Sequence, residues 1–374
     1  MKPGKSAAKI WNYIRRGFLV LVNPAAFVTS LLFATAAAAG LFNPSTNEIP
    51  AIVGLFFPVL FVGMLFFSAI LIMLRSKLIY FMLLVLLFSI PVSLRFIGLN
   101  TGGSGGNLKI FTYNVHGFRG IDKKINGAAT HKAIAAFIQK QSPDIVCIQE
   151  FRSWSGQIDA DVREYASSVG LPHSHFAGYW KKGGVQSDGY LILSRFPIVN
   201  RGSIPSSTKR QIGAFADIST GENKTIRVAA IHLISFSLGQ QEIEAFGEAA
   251  SFEMELIKKH GKSLFGKLRN SFNIRSSEIR DLTDFLDQSE IPLVVCGDFN
   301  DTPTSFTYSS MTKKGYADCF RQAGFGLGAT YAGNLPWLRI DYCFVSPLIK
   351  ARKAEVHHLP YSDHFPLQIT IENP

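Results

Sequence analysis

Five apolar, β-type runs in this chain each deliver a polar residue able to do chemistry and a sixth, short segment adds an acid–histidine pair, and that repetition narrows the architecture sharply. The clearest is Leu293-Val294-Val295-Cys296-Gly297-Asp298-Phe299-Asn300. Alternate residues of a strand share a face, so Asp298 and Asn300 leave the core on the same side. Leu108–Asn114 ends in an amide and Asp144–Glu150 in a carboxylate. Ile226–His232 and Trp337–Tyr342 deliver His232 and Asp341, and Tyr361-Ser362-Asp363-His364 sets an acid beside a histidine. Short runs of this composition read as strands. A lone strand-end carboxylate is usually a solvated residue. Several in one chain predict a shared site on a rigid scaffold. An acid, an amide and an imidazole–carboxylate pair suit holding a phosphate and activating a water, with Asp363 orienting His364 as a proton carrier.

Taken in order, T-x-N (Thr112–Asn114), Q-E (Gln149-Glu150), H-L (His232-Leu233), G-D-F-N (Gly297–Asn300), R-I-D-Y (Arg339–Tyr342) and S-D-H (Ser362–His364) resemble the endonuclease/exonuclease/phosphatase superfamily. That superfamily includes pancreatic-type deoxyribonucleases, exonuclease III-like enzymes, neutral sphingomyelinases and inositol polyphosphate 5-phosphatases. The ordered set is far more specific than G-D-F-N alone, and it covers the chain from about Leu108 to the C-terminus. The resemblance implies an α/β (α+β) four-layer sandwich, two mixed β-sheets face to face with helices outside and the site at one edge. Helical stretches at Thr130–Gln141 and Arg275–Gln288, alternating with the strand runs, agree.

The resemblance also implies roles. Glu150 is the main ligand of a hard divalent cation, Mg²⁺ with Mn²⁺ as the alternative, and Asn114 lies beside it. A few oxygen ligands, completed by water and substrate phosphate, suit Mg²⁺. Asp298 orients or deprotonates the attacking water, and Asn300 binds a phosphoryl oxygen. His232 and His364 contact the phosphate, with Asp363 holding His364. Asp341 pairs with a histidine, His232 being the expected partner. Together these groups run in-line attack on phosphorus.

Other residues have plainer readings. His116 is equally a phosphate contact or a loop histidine. Arg195 reads as scaffold and Tyr190 as a buried strand tyrosine. His173, His175, His357 and His358 resemble metal spacings but have no Cys or acid partners nearby, so they read as surface histidines.

The first 107 residues are a different object. Phe18–Phe42, Ala51–Leu74 and Leu78–Leu94 are apolar runs almost without charge, and they predict about three transmembrane helices within residues 1–99. Asn23-Pro24 predicts a kink in the first. Lys2, Lys5, Lys9, Arg15 and Arg16 precede that run, and Arg75 and Lys77 separate the other two. Basic residues stay cytoplasmic, so three crossings put the C-terminal domain outside, at the face of a bacterial inner membrane. A two-span chain would reverse that. Residues 100–107, rich in Gly and Ser, read as a flexible linker to a catalytic domain at 108–374.

The formal charge of +11 suggests nucleic acid, but its location argues otherwise. Residues 1–107 carry +7 and the remainder only +4, so the excess mostly reports membrane orientation. Cys147, Cys296 and Cys343 lie in apolar strands and read as core residues, whereas Cys319 looks reachable. Ser237–Ser271 interleaves Lys258, Lys259, Lys262, Lys267 and Arg269 with Leu256, Ile257, Leu264, Phe265 and Leu268. That pattern reads either as a bilayer-contacting element or as a solvated helix. Three functions follow: a membrane-anchored hydrolase of a phospholipid or lipid-linked phosphoester, an extracytoplasmic nuclease with the same machinery, or an inactive binding module. The filled catalytic positions disfavour the last, and the weak +4 disfavours nucleic acid as partner.

Overall fold

The computed structural model describes residues 5–100, 103, 105–120, 127–182, 185–222, 224–236, 255–333, 335 and 337–374. Its strands are β1 (Gly98–Leu99), β2 (Leu108–Asn114), β3 (Ile145–Arg152), β4 (His173–Lys182), β5 (Val185–Ser194), β6 (Ile198–Pro205) and β7 (Gln211–Gly221). They continue as β8 (Lys224–His232), β9 (Leu293–Asp298), β10 (Ala317–Asp318), β11 (Phe325–Gly326), β12 (Asp341–Val345), β13 (Ala351–Val356) and β14 (Leu367–Ile371). One sheet has the order β13-β14-β2-β3-β5-β4, the other β10-β12-β9-β8-β7-β6. Both are mixed, because β2–β3 and β8–β9 pair in parallel while their neighbours are antiparallel.

The sheets pack face to face through Ile110, Cys147 and Ile192 on one side and Ala216, Val228 and Cys296 on the other. Strand β9 is buried along its whole length, which is why its sequence is a continuous apolar run rather than an alternating one. Cys319 is buried as well, 3.7 Å from Cys343, so it is not the reachable thiol its sequence suggested. Helices cover the outer faces. After the N-terminal α1 (Lys5–Ala37), α2 (Ile49–Gly54), α3 (Phe57–Met73) and α4 (Leu78–Ser93), helices α5 (Gly127–Gln141) and α6 (Ile158–Val169) cover the first sheet through Ile138, Val162 and Tyr165. Helices α7 (Glu255–Leu286) and α8 (Phe306–Lys313) cover the second through Ile279, Leu282 and Met311. Helix α7 begins at Glu255, well before the Arg275 start read from sequence. Its Leu264, Leu268 and Phe272 bury against Ala51 and Leu55, so that apolar stripe covers protein and not lipid, while Phe265 stays exposed. Residues 237–254, the first part of the Ser237–Ser271 segment, lie outside the described residues.

Helices α1, α3 and α4 pack through Ala26, Phe33, Met64, Leu71 and Met82, and turn Phe18, Leu21, Phe66, Leu83 and Phe88 outward. Among the described residues, one helix, Ile10–Leu41, is long and apolar enough to cross a membrane. The other two expected spans fall short. The chain breaks between Gly54 and Phe57, where Pro58 starts a new helix, leaving 17 residues in α3 and 16 in α4. At ~1.5 Å per residue they reach about 25 Å against a hydrocarbon core of ~30 Å. Pro24 sits inside α1 without ending it.

The bundle has two unlike ends. Arg15 Nε and Nη2 donate to the carbonyls of Leu74 and Arg75 at 2.6 and 3.1 Å, which gathers basic residues at one end. The other end grips the β-sandwich. A Cβ on Gly40 would lie 2.0 Å from Ser309 Oγ, so only glycine permits that approach. Thr304 Oγ1 donates to Gly54 O at 3.2 Å, and Arg95 Nη1 donates to Ser309 Oγ at 3.1 Å and Pro303 O at 3.3 Å. The segment after α4 is no free tether where it is described. Asn100 N, Gly103 N and Asn107 N donate to Gly324 O, Arg352 O and Ile371 O at 3.0, 2.9 and 3.1 Å, stitching it to the sandwich.

Candidate active site

The C-terminal ends of the two parallel pairs meet at one edge of the sandwich. His232, Asp298 and Asp341 are direct register partners across β8, β9 and β12, so three strands deliver side chains at one level. Asn114 and Glu150 arrive from β2 and β3 of the facing sheet. A bulge in β3 between Ile148 and Phe151 puts Glu150 at φ +55°, and that local kink re-aims its side chain toward the other sheet. Asn300 also holds a left-handed backbone, at φ +52°. Such positions cost of order 1–3 kcal/mol each and persist where surrounding structure fixes them.

Asp298 is the hub. Its Oδ1 accepts Asn300 N at 2.8 Å, and its Oδ2 accepts both Asn114 Nδ2 and Asn300 Nδ2 at 3.0 Å. The same Oδ2 faces His232 Nε2 at 3.5 Å and His364 Nε2 at 3.6 Å. Asn300 spends its other amide hydrogen on Leu233 O at 3.0 Å, so here it positions Asp298 rather than offering a free donor. Asn114 Nδ2 also reaches Glu150 Oε1 at 3.3 Å, while its Oδ1 accepts His116 N at 3.0 Å. Glu150 keeps one further neighbour, His232 Nε2 at 3.8 Å.

The acid–histidine pairings differ from those read in the sequence. His364 Nδ1 lies 2.8 Å from Asp341 Oδ2, so Asp341 serves His364 and not His232. Asp363 turns away from its neighbour and meets His116 Nδ1 at 2.7 Å. Tyr361–Asp363 form a bend rather than a strand, and its Asp363 carboxylate lies beside His116 while the His364 ring reaches Asp341. Burial disfavours a charged His364, but the carboxylates of Asp341 and Asp298 outweigh it and hold the imidazole well above its ordinary value. Burial likewise pushes Asp363 up, yet the hydrogen bond from His116 and the charge of His364 bring it down to about 2.

Several letters of the motifs have structural rather than chemical work. Gly297, at φ +136°, leaves no room for a side chain, since a Cβ there would lie 2.1 Å from Ile231 O and 3.0 Å from Gln149 Nε2. Gln149 in turn donates to Thr112 Oγ1 at 3.2 Å. The glycine of G-D-F-N, the glutamine of Q-E and the threonine of T-x-N are therefore one interlock between the sheets. Tyr190 is buried, its hydroxyl donating to Gln211 O at 3.0 Å, and Arg195 pairs with Asp144, so both are scaffold. Thr330 escaped the sequence reading. Its Oγ1 accepts Ile340 N and Asp341 N at 3.1 and 3.0 Å, fixing the backbone beneath Asp341. Nothing in the loop around it marked it. Tyr331 follows, its ring edge-on to His364 at 6.0 Å.

The arrangement fits a divalent cation. Glu150, Asp298 and Asp341 converge without an ion pair to lysine or arginine among the described residues, and ligand atoms of Asp298, Asp341 and His364 lie within 4.8 Å of one another. Oxygen-rich crowding of this kind is what hard cations relieve.

The endonuclease/exonuclease/phosphatase family model matches residues 111–364. The chain belongs to that family. Its members hydrolyse phosphoester bonds, and the strand-end groups above are where this member of the family gathers its acids and imidazoles. Solved structures agree in fold. An endonuclease/exonuclease/phosphatase from Beutenbergia cavernae superimposes with TM-score 0.51 at 20% identity, covering 72% of each chain. A family protein from Leptotrichia buccalis gives 0.52 at 16% identity, covering 71% of this chain and 100% of that one. One from Bacteroides vulgatus gives 0.51 at 18%, covering 71% and 99%. No curated protein matches.

Proposed function

We propose that this family member is a membrane-anchored, divalent-metal-dependent phosphoesterase acting on a phospholipid or lipid-linked phosphoester. The observation that carries the reading is the convergence of Glu150, Asp298 and Asp341 with His232 and His364, on a domain gripped by an apolar helix bundle. The outward Phe and Leu side chains of that bundle support a bilayer setting, since soluble surfaces rarely carry contiguous apolar area of this extent. The basic end around Arg15 and Arg75, opposite the catalytic end, supports an extracytoplasmic domain, with the short α3 and α4 crossing as part of the bundle.

A divalent cation would be held by Glu150 beside Asn114, with the carboxylates of Asp298 and Asp341 as further oxygen donors, and it would supply charge neutralisation at the phosphate. For Asn114 to offer its oxygen, its amide must turn over from the orientation described above. Asp298, held by two amides, has one oxygen facing the imidazoles and orients or deprotonates the attacking water. His364, charged and fixed by Asp341, presents Nε2 as a donor to a phosphoryl oxygen, and His232 Nε2 does the same from the other side.

Full-length protein in nanodiscs with Mg²⁺ tests this against phospholipids, bis-p-nitrophenyl phosphate, p-nitrophenyl phosphate and plasmid DNA, with Asp298→Ala as control. Control-sensitive release from lipid with little nicking supports the proposal. Nicking with intact lipid overturns the substrate class in favour of a tethered nuclease. Activity unchanged by chelator overturns the metal.

A further inference from the structure

We propose that the β1–β11 ridge, carrying Leu99, Phe325 and Leu327, is a bilayer contact that sets the catalytic domain down on the lipid surface. This rests on the membrane reading above and adds an orientation to it. Among the described residues beyond Asn100, most large apolar side chains are buried or half-buried, yet Phe325 and Leu327 are 72% and 57% exposed. Leu99, their neighbour, is 68% exposed. Leu99 and Phe325 are direct partners in an antiparallel pair, so they share one face of the ridge. The ridge begins five residues beyond the end of α4, and the intervening Leu94 and Ile97 are also exposed. Exposed apolar side chains therefore recur along the chain from the outward face of the bundle to the catalytic domain. That recurrence names lipid as the occupant.

The ridge is held in place. Asn100 N donates to Gly324 O at 3.0 Å and Asn100 Nδ2 to Gln322 O, so the chain leaving the bundle holds the segment that leads into β11. Gly98 packs so closely on Gly324 that a Cβ would lie 2.3 Å from its carbonyl oxygen. Phe325 and Leu327 also form the lip of a cleft of about 540 Å³ that reaches back to His357 and His358, away from the catalytic groups. Two large apolar groups presented on a pinned turn, beside a membrane exit, match interfacial anchors. The same loop continues to Tyr331, whose ring meets His364, so a seated ridge holds the rim of the site near the headgroups.

Single cysteines carrying an environment-sensitive fluorophore test this in nanodiscs. The four native cysteines are buried, and wild-type protein measures any background labelling. Labels go at Phe325→Cys and Leu327→Cys, at Phe88→Cys on the bundle, and at Val199→Cys and Leu348→Cys, which are exposed apolar positions elsewhere on the domain. The expected result is short-wavelength emission at 325, 327 and 88, quenched by spin-labelled lipid and spared by aqueous iodide, with 199 and 348 showing the reverse. Lipid contact at 88 with iodide quenching at 325 and 327 overturns the ridge and leaves the anchor standing. Iodide quenching at 88 overturns the membrane reading itself, and this proposal with it.

Discussion

His364 Nδ1 stands 2.8 Å from Asp341 Oδ2, a partner 23 residues away in sequence, and turns its other nitrogen toward Asp298. The dyad is buried, so the imidazole is oriented before substrate arrives. Asp341→Asn is expected to lower kcat by about 10²–10⁴, the usual worth of a positioned proton carrier. The double variant Asp341→Asn/His364→Ala should be no slower than His364→Ala alone, because the two act as a unit. Steady-state kinetics on bis-p-nitrophenyl phosphate decides it. Additive losses would separate Asp341 from His364.

The second pair, His116–Asp363, predicts a pH signature in stability. The hydrogen bond to Asp363 raises His116 above its ordinary value, against the opposing pull of burial. A raised histidine contributes stability that is whole below ~6.5 and lost as pH rises through its folded-state value. Asp363, held down to about 2, contributes stability that is whole above the ordinary carboxylate value and lost as pH falls toward 2. Wild-type protein should therefore lose more melting temperature than His116→Gln between pH 5 and pH 9. Parallel melting curves across that range would remove the pair from the stability balance.

The strand ends were legible because buried strands leave an unmistakable apolar run and their polar last residues stand out against it. Asn114, Glu150, His232, Asp298, Asn300, Asp341 and His364 all come to one edge of the sandwich. The pairings among them were not legible. Whether Asp341 takes His232 or His364 depends on which loop brings β14's leading residues across the site, and Thr330, which fixes that loop, carries no local signal. The 24-residue run from Ala51 to Leu74 misled for a related reason. Hydropathy registers its continuity but not the break at Gly54–Phe57, which exists because α2 packs on α7. The Gly/Ser composition of residues 100–107 likewise says flexible, while backbone hydrogen bonds to Gly324, Arg352 and Ile371 depend on partners more than 200 residues away.

Gly297→Ala should be among the most damaging small substitutions in the domain. It adds a methyl 2.1 Å from Ile231 O at a φ of +136°, so β8 and β9 must separate or the backbone must strain. A loss of about 2–4 kcal/mol is expected, by the mechanisms of special dihedrals and overpacking. Thermal unfolding in detergent measures it. A wild-type melting temperature would show that the sheet relaxes freely at this point.

Arg339 ties the N-terminal helix bundle to the site strand. Its Nη1 donates to buried Asp318 at 2.6 Å and its Nη2 to the carbonyl of Arg95, two residues past α4. Arg339→Met strands Asp318 without a counter-charge and should cost about 3–5 kcal/mol. Adding Asp318→Asn should recover much of that loss, since the penalty belongs to the uncompensated carboxylate. If the double variant is as unstable as the single, the carbonyl of Arg95 is the partner that matters.

Glu150 offers the sharpest separation of chemistry from structure. Its carboxylate is partly exposed, its closest contacts are Asn114 Nδ2 and His232, and its backbone is bent to aim it at Asp298. An acid placed so, with only a long amide contact to balance it, is positioned for a cation. Glu150→Gln keeps the shape and removes the charge. The melting temperature without metal should hold or rise slightly, because crowding with Asp298 is relieved. Activity at low Mg²⁺ should fall by about 10-fold or more, the cost expected when metal affinity drops by ~1.4 kcal/mol, and excess Mg²⁺ should restore part of it. Titrating activity against Mg²⁺ for both proteins separates the cases. A shifted midpoint with a similar plateau identifies Glu150 as a ligand, whereas an unchanged midpoint with a lower plateau assigns it to the proton-transfer machinery instead.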